Sequence, residues 1–226
     1  IFLFSIGVLS AQVPYITAAE GGNKSAQLNF GIDAKVSFVA TGPEVYHTLL
    51  IKSDSSLWGF GLNDYSQLGD NSTVTRTRPV RIGIDNDWVF VATNRYYSMG
   101  IKADGTLWGW GYNGWGNLGD GTFTNRLKPT QIGSEKDWKA VSVTMHSTLA
   151  LKTDGTIWTW GYKITTDTLV VIPTPIQIGT DNHWIDINAG INHDMAIKND
   201  STIWSWGRNS LGQLGNGNVA VVQAQP

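Results

Sequence analysis

The stretch Asp104-Gly-Thr-Leu-Trp-Gly-Trp-Gly-Tyr-Asn-Gly-Trp-Gly-Asn-Leu-Gly-Asp-Gly-Thr122 decides how the chain folds, because it recurs. Ser53-Asp-Ser-Ser-Leu-Trp-Gly-Phe-Gly61, Thr153-Asp-Gly-Thr-Ile-Trp-Thr-Trp-Gly161 and Asn199-Asp-Ser-Thr-Ile-Trp-Ser-Trp-Gly207 are further copies. The leading tryptophans, Trp58, Trp108, Trp158 and Trp204, stand 50, 50 and 46 residues apart. A fixed period of this size marks a stacked or radial repeat.

Each copy carries the same four pieces. A short strand opens it: Trp88-Val-Phe-Val-Ala92, Trp138-Lys-Ala-Val-Ser142 and Trp184-Ile-Asp-Ile-Asn188, with Val36-Ser-Phe-Val-Ala40 lacking the tryptophan. An apolar strand ending in lysine follows at Thr48–Lys52, Ser98–Lys102, Thr148–Lys152 and Asp194–Lys198. A turn built on Asp104-Gly105 or Asp154-Gly155 leads into the Trp strand, and Asp-Gly is a strong hairpin signal. A Gly-rich loop then leads to Pro79-Val-Arg-Ile-Gly83, Pro129-Thr-Gln-Ile-Gly133 or Pro175-Ile-Gln-Ile-Gly179, where proline suits the first residue of an edge strand. Four strands per unit of about 50 residues is the arithmetic of a propeller blade. Both faces of the second strand are apolar. One carries Leu49/Ile51, Met99/Ile101, Leu149/Leu151 and Met195/Ile197, the other Leu50, Gly100, Ala150 and Ala196. A sheet apolar on both sides is covered on both sides. Trp108 and Trp158 are expected to be buried.

The 226 residues include 11 tryptophans and 26 glycines, which the repeat explains, and no cysteine, which removes disulfides and thiolate chemistry. A net charge of −2 offers no basic field for nucleic acid. The apolar Ile1–Ala11 ends in small residues and reads as part of a secretory signal; eleven residues do not span a bilayer. Residues 12–35 read as a linker with a strand near Leu28–Ile32. The propeller is expected over 36–226, in blades at about 36–87, 88–137, 138–183 and 184–226, the last truncated.

The strings Leu107-Trp-Gly-Trp-Gly-Tyr-Asn-Gly-Trp-Gly-Asn-Leu-Gly-Asp-Gly121 and Leu57-Trp-Gly-Phe-Gly-Leu-Asn-Asp-Tyr-Ser-Gln-Leu-Gly-Asp70 resemble the regulator of chromosome condensation repeat, as do Ala189-Gly-Ile-Asn-His193 and Asp200–Gly217. The resemblance implies a β-propeller, seven-bladed in the nuclear members. It implies that the four copies here form an incomplete ring, an open arc. The expectation is a secreted, bacterial, fragmentary member, cut at both ends. The third copy departs from the pattern, since Tyr162-Lys-Ile-Thr-Thr-Asp-Thr-Leu-Val-Val-Ile172 replaces its Gly-rich loop.

No catalytic constellation stands out. Gly109-x-Gly-x-x-Gly114 matches a dinucleotide fingerprint by pattern but lacks the following helix. Asp70, Asp120 and Asn216 recur once per loop on separate blades, so they read as turn-stabilising groups rather than one calcium site. His47 and His193 share an aligned position with Tyr97 and Ser147, which reads as structural. Asn63, Asn113 and Asn209 shape the loop. Tyr65, Trp115 and Leu211 align within it, each either a partner anchor or a side chain packed over its own blade's edge. The candidate partner-binding residues are Tyr65, Trp115, Asn113 and Arg208; no cofactor, metal, nucleic acid or membrane span is expected. The expected function is a non-catalytic scaffold, secreted or on the cell surface, presenting propeller loops to a protein or glycan. The resemblance leaves two alternatives: guanine-nucleotide exchange on a small GTPase, and secreted enzyme inhibition.

Overall fold

Each copy of the repeat folds into one antiparallel meander. The computed structural model describes residues 16–18, 26–28, 35–42, 45–164, 169–219 and 222–223. A short pair, β1 (Ile16–Ala18) and β2 (Ala26–Leu28), comes first. Of the strand expected near Leu28–Ile32, only Leu28 falls in a described strand, β2, whose partner β1 lies inside the stretch read as linker; residues 29–32 lie outside the described residues. Ile1–Ala11 lies outside the described residues.

Blade 1 is β3 (Val36–Ala40), β4 (His47–Lys52), β5 (Leu57–Gly61) and β6 (Arg76–Arg81). Blade 2 is β7 (Trp88–Thr93), β8 (Tyr97–Lys102), β9 (Leu107–Gly111) and β10 (Arg126–Ile132). Blade 3 is β11 (Trp138–Val143), β12 (Ser147–Lys152), β13 (Ile157–Ile164) and β14 (Leu169–Gln177). Blade 4 is β15 (Trp184–Ala189), β16 (His193–Lys198), β17 (Ile203–Arg208) and β18 (Val222–Gln223). Strands pair in sequence order in every sheet, and no helix occurs among the described residues. The chain is an all-β propeller arc whose innermost strands β3, β7, β11 and β15 pack side by side in that order.

The prolines sit elsewhere than the sequence suggested. Pro79 and Pro129 lie inside the outer strand, where its register against the Trp strand shifts. A shift of this kind leaves backbone N–H groups out of the ladder, so the missing N–H of proline costs nothing there.

Successive blades meet through one repeated joint. Leu49, Ile51, Leu57, Leu68 and Ile82 of blade 1 pack on Trp88, Val91 and Trp110 of blade 2. Met99, Ile101, Leu107, Leu118 and Ile132 pack on Trp138, Val141 and Trp160 of blade 3. Leu149, Leu151, Ile157 and Ile178 pack on Trp184, Ala196 and Trp206 of blade 4. Each blade thus has an aliphatic face and a tryptophan face. Trp110 and Trp160 are fully enclosed, whereas Trp108 and Trp158 are only half-buried, against the expectation of burial. Their rings lie towards the lysine end of the second strand: Lys102 Nζ sits 5.1 Å from the Trp88 ring centroid and 4.4 Å from that of Trp108. Such cation–π contacts keep a half-buried indole covered, and the buried Lys102 ammonium is paired with Asp85 and Asp87 at 2.8 and 3.2 Å.

The antiparallel course puts two kinds of connection at each end of a blade. The Asp turns between second and third strands lie at one end. Asp104 Oδ1 accepts from Thr106 N–H and hydroxyl at 3.1 and 2.7 Å, closing the turn. The turns between first and second strands and the long loops after the third strand share the opposite end. That end carries the aromatic side chains considered next.

Candidate partner-binding rim

The long loop is built around a buried asparagine. Asn63 Oδ1 accepts from Leu68 N–H at 2.9 Å while its Nδ2 donates to Asp70 Oδ1 at 2.9 Å and to Ser72 O at 3.0 Å. Asn113 repeats this with Leu118 N–H, Asp120 Oδ1 and Thr122 O at 3.0, 3.0 and 2.9 Å. Asn209 does the same with Leu214 N–H, Asn216 Oδ1 and Asn218 O. All three are 0% exposed. Asn113 is therefore withdrawn as a partner-contacting residue: its polar atoms are spent inside the loop and no surface remains to meet a partner.

The loop aspartates are equally committed. Asp70 Oδ1 accepts from Asn63, Ser72 N–H and the Ser72 hydroxyl, and Oδ2 accepts from Arg76 Nε at 2.6 Å. Asp120 has the same bonds from Asn113, Thr122 and Arg126. Burial pushes each carboxyl up. Hydrogen bonds from Ser72, Arg76 and Asn63 outweigh it at Asp70, those from Thr122 and Arg126 outweigh it at Asp120, and both settle below the usual carboxylate value. This is the turn-stabilising role, with the lone pairs a cation would need already engaged.

With its base fixed, the loop holds an aromatic side chain at its apex. Tyr65 is 39% exposed and Trp115 is 37% exposed. Neither lies over its own blade's edge. Tyr65 reaches across the joint and stands edge-on to Tyr96 and Tyr112 of blade 2, with centroids 5.2 and 5.5 Å away. Trp115 reaches onto His146 and Tyr162 of blade 3 at 5.5 and 5.2 Å. The two triads have the same plan: a loop apex, the residue before the next second strand, and the residue after the next Trp strand's glycine. Edge-to-face packing of this kind is favourable and orients the rings. A trough of about 270 Å³ lies between the triads, lined by Tyr65, Tyr96, Tyr112, Trp115, Met145 and His146. Burial lowers the His146 pKa, so its ring meets the indole neutral at pH 7.

Tyr96, Tyr112, His146 and Tyr162 were not singled out from the sequence. The signal was present in register: Tyr46, Tyr96 and His146 align, and Tyr112 aligns with Tyr162. Arg208 occupies that second position in blade 4; it is exposed and donates from Nε to Ser210 Oγ at 2.8 Å, so it remains available. Leu211, the loop apex of blade 4, is 86% exposed.

A sequence model of the regulator of chromosome condensation (RCC1) repeat matches residues 54–101 and 104–151. These two stretches are similar to the RCC1 repeat. No curated protein sequence matches it. Solved propellers with this repeat match it in shape. Human WBSCR16 superposes with a TM-score of 0.78 at 22% identity over 92% of this chain and 57% of its own. Prp20p from Saccharomyces cerevisiae, solved in a study of its binding to Gsp1p and histones, superposes with a TM-score of 0.77 at 18% identity over 90% of this chain and 52% of its own. The same yeast RCC1 protein bound to Kap60 gives 0.77, 18%, 90% and 50%. The chain thus spans between 50% and 57% of the length of these RCC1-repeat structures. At such identities the likeness concerns fold alone.

Proposed function

We propose that the chain is a non-catalytic scaffold that receives a protein partner on the aromatic rim. The observation that carries this reading is the pair of interlocked triads, Tyr65/Tyr96/Tyr112 and Trp115/His146/Tyr162. They leave large, oriented rings at the surface with a trough between them. Rigid aromatic side chains on loops anchored by a scaffold are what protein-binding hot spots are made of. The RCC1-repeat propeller supports the reading by analogy with Prp20p, whose structure was studied together with its binding to Gsp1p and histones.

The test is site-specific photo-crosslinking from the two rims. A photoreactive phenylalanine analogue at position 65 or 115 should capture a defined protein, and the same probe at 104 or 154 on the opposite rim should not. Equal capture from both rims, or capture of glycan alone, defeats the reading.

The setting proposed for this scaffold is extracytoplasmic, on the strength of the apolar Ile1–Ala11. Sequencing the amino terminus of the secreted protein should find Gln12 first; an intact apolar terminus in the cytosol contradicts it. Guanine-nucleotide exchange on a small GTPase is a second reading, favoured by the likeness to Prp20p, and a nucleotide-release assay decides it.

A further inference from the structure

The turns between first and second strands bring one residue of each blade to the same place. Val45, Arg95, Met145 and Ile191 stand in register, each two residues before its second strand. All four line one cavity of about 320 Å³ at the aromatic end of the arc. Three of the four are apolar, so the repeat fills this position with hydrocarbon and Arg95 is the departure. Thr93 is a second departure in the same turn. It stands where blades 3 and 4 carry Val143 and Ala189, and all three line the same cavity.

Among the described residues, nothing compensates the charge. No ion pair or hydrogen bond reaches the half-buried Arg95 guanidinium, and its Nε is out of water without a partner. The Thr93 hydroxyl is likewise buried and unbonded. Tyr46 and Tyr96 hold the guanidinium, whose Cζ stands 5.3 Å from each ring centroid. The turn that carries it is fixed: Gln67 Nε2 donates to Arg95 O at 3.3 Å, and Asn94 N–H donates to Tyr97 O at 2.9 Å. The two rings position the cation, but they offer no acceptor to its planar fork of N–H groups. A guanidinium walled by Val45, Val143, Met145 and Ile191 has lost water without gaining an anion. That is unfavourable until a ligand supplies one.

We propose that Arg95 reads charge on the rim by taking a carboxylate side chain, Asp or Glu, of the protein partner. The carboxylate accepts from the terminal nitrogens of the guanidinium, the pairing that the planar fork suits best. One positive charge between apolar walls matches one negative charge. A phosphate would bring close to two, and no second cation lines the cavity. The cavity continues the aromatic rim. Met145 lines both the cavity and the trough between the triads, and Tyr96 packs on both Arg95 and Tyr65. A partner seated on Tyr65 and Trp115 therefore meets Arg95 from the same side. The inference rests on the reading of that rim as a protein-binding face and adds the partner's chemistry: an acidic side chain beside the group that occupies the trough.

The side-chain NMR signal of Arg95 Nε–H, followed on the 226-residue chain, tests it. N-acetylglutamate amide is the probe, and N-acetylglutamine amide, the same shape without the charge, is its control. The glutamate probe should shift the Arg95 signal saturably, with a constant on the order of 10 mM, and the glutamine probe should not. Arg95→Gln should abolish the accompanying shifts at the Thr93 and Met145 amides. Equal shifts from both probes, equal shifts at Arg95 and the exposed Arg78, or shifts that survive Arg95→Gln overturn the proposal. Tighter binding of inorganic phosphate than of the glutamate probe assigns the cavity to a phosphate ligand and also overturns it. Glu44 is the one acidic residue in the sequence of the four turns and lies outside the described residues, so Glu44→Gln is titrated in parallel. Binding seen only in that variant would mean that the chain supplies its own carboxylate, and overturns the proposal. The titration uses no partner and no probe at positions 65 or 115, so its failure is separable from failure of the rim reading. The partner crosslinked from the rim should bind Arg95→Gln at least about tenfold more weakly, and an unchanged affinity overturns the proposal even where the glutamate probe binds.

Discussion

The Trp88 ring lies directly over Gly100: a Cβ at Gly100 would stand 2.7 Å from Trp88 Cζ3. The first blade makes the opposite choice, with Val36 at the tryptophan position and Leu50 at the glycine position. Volume has been exchanged between two neighbouring strands and the joint kept full. Gly100→Ala should therefore destabilise by about 1–3 kcal/mol, the usual cost of overpacking. Gly100→Leu should be worse alone and partly rescued by Trp88→Val. Urea unfolding of the two single variants and the double variant measures the coupling; additive losses would show that the two positions do not share one space.

His47 makes stability fall with acid. Ser98 Oγ donates to Gln67 O, so it accepts from His47 Nε2–H at 3.0 Å, which leaves the ring neutral with Nδ1 unprotonated. Burial lowers its pKa from 6.5 to about 4. The unfolded chain then binds the extra proton first. The stabilisation is complete above about pH 6.5, is lost as pH falls towards 4, and amounts to about 3 kcal/mol. Asp70 and Asp120, held below the usual carboxylate value, add a further loss below about pH 4. Chemical denaturation at pH 7, 5.5 and 4 should show the slope, and His47→Gln should flatten it between 6.5 and 4. An unchanged slope in that variant would place the titrating group elsewhere.

Asn113→Ala should cost about 2–4 kcal/mol, because it strands the buried Leu118 N–H and removes a donor from Asp120. Asn113→Asp should also destabilise, since its second oxygen would face Asp120. Thermal unfolding measures both. A loss below about 0.5 kcal/mol would show that the loop does not depend on this side chain.

The repeat, its four strands and its asymmetric faces were legible in the sequence because tryptophan and glycine recur at fixed offsets. Partnership across joints was not. Trp108 and Trp110 share one face of a strand, yet only Trp110 is enclosed, because Leu68 of the preceding blade's loop packs on it and Gln67 O accepts from its Nε1 at 3.0 Å. Tyr65 and Trp115 were found as loop apices, but a single blade's pattern cannot show that each leans on the next blade. Asn113 looked like a loop residue open to partners, and the bonds that bury it come from Leu118, Asp120 and Thr122 within the same turn. Arg95 was plain in the sequence as a turn residue; that it stands among Val45, Met145 and Ile191 needed the four turns placed around one cavity.

The outer face of blade 4 should make the chain associate. Met195 and Ile203 are 37% and 67% exposed, where their counterparts Met99 and Leu107 are fully buried under the next blade. Exposed apolar sheet faces of this kind drive assembly. Light scattering on the 226-residue chain should show concentration-dependent oligomers, reduced by Ile203→Lys. A monomer at every concentration would mean that this face is covered in solution.

The affinity of the crosslinked partner for Trp115→Ala, measured by calorimetry beside Asp154→Ala, tests the binding rim most directly. Both variants should first be shown folded, by the near-ultraviolet signal of their tryptophans. The account predicts that Trp115→Ala weakens binding by at least about tenfold, the loss of one anchor, while Asp154→Ala on the opposite rim changes it less than about twofold. Equal affinities for the two variants would contradict it.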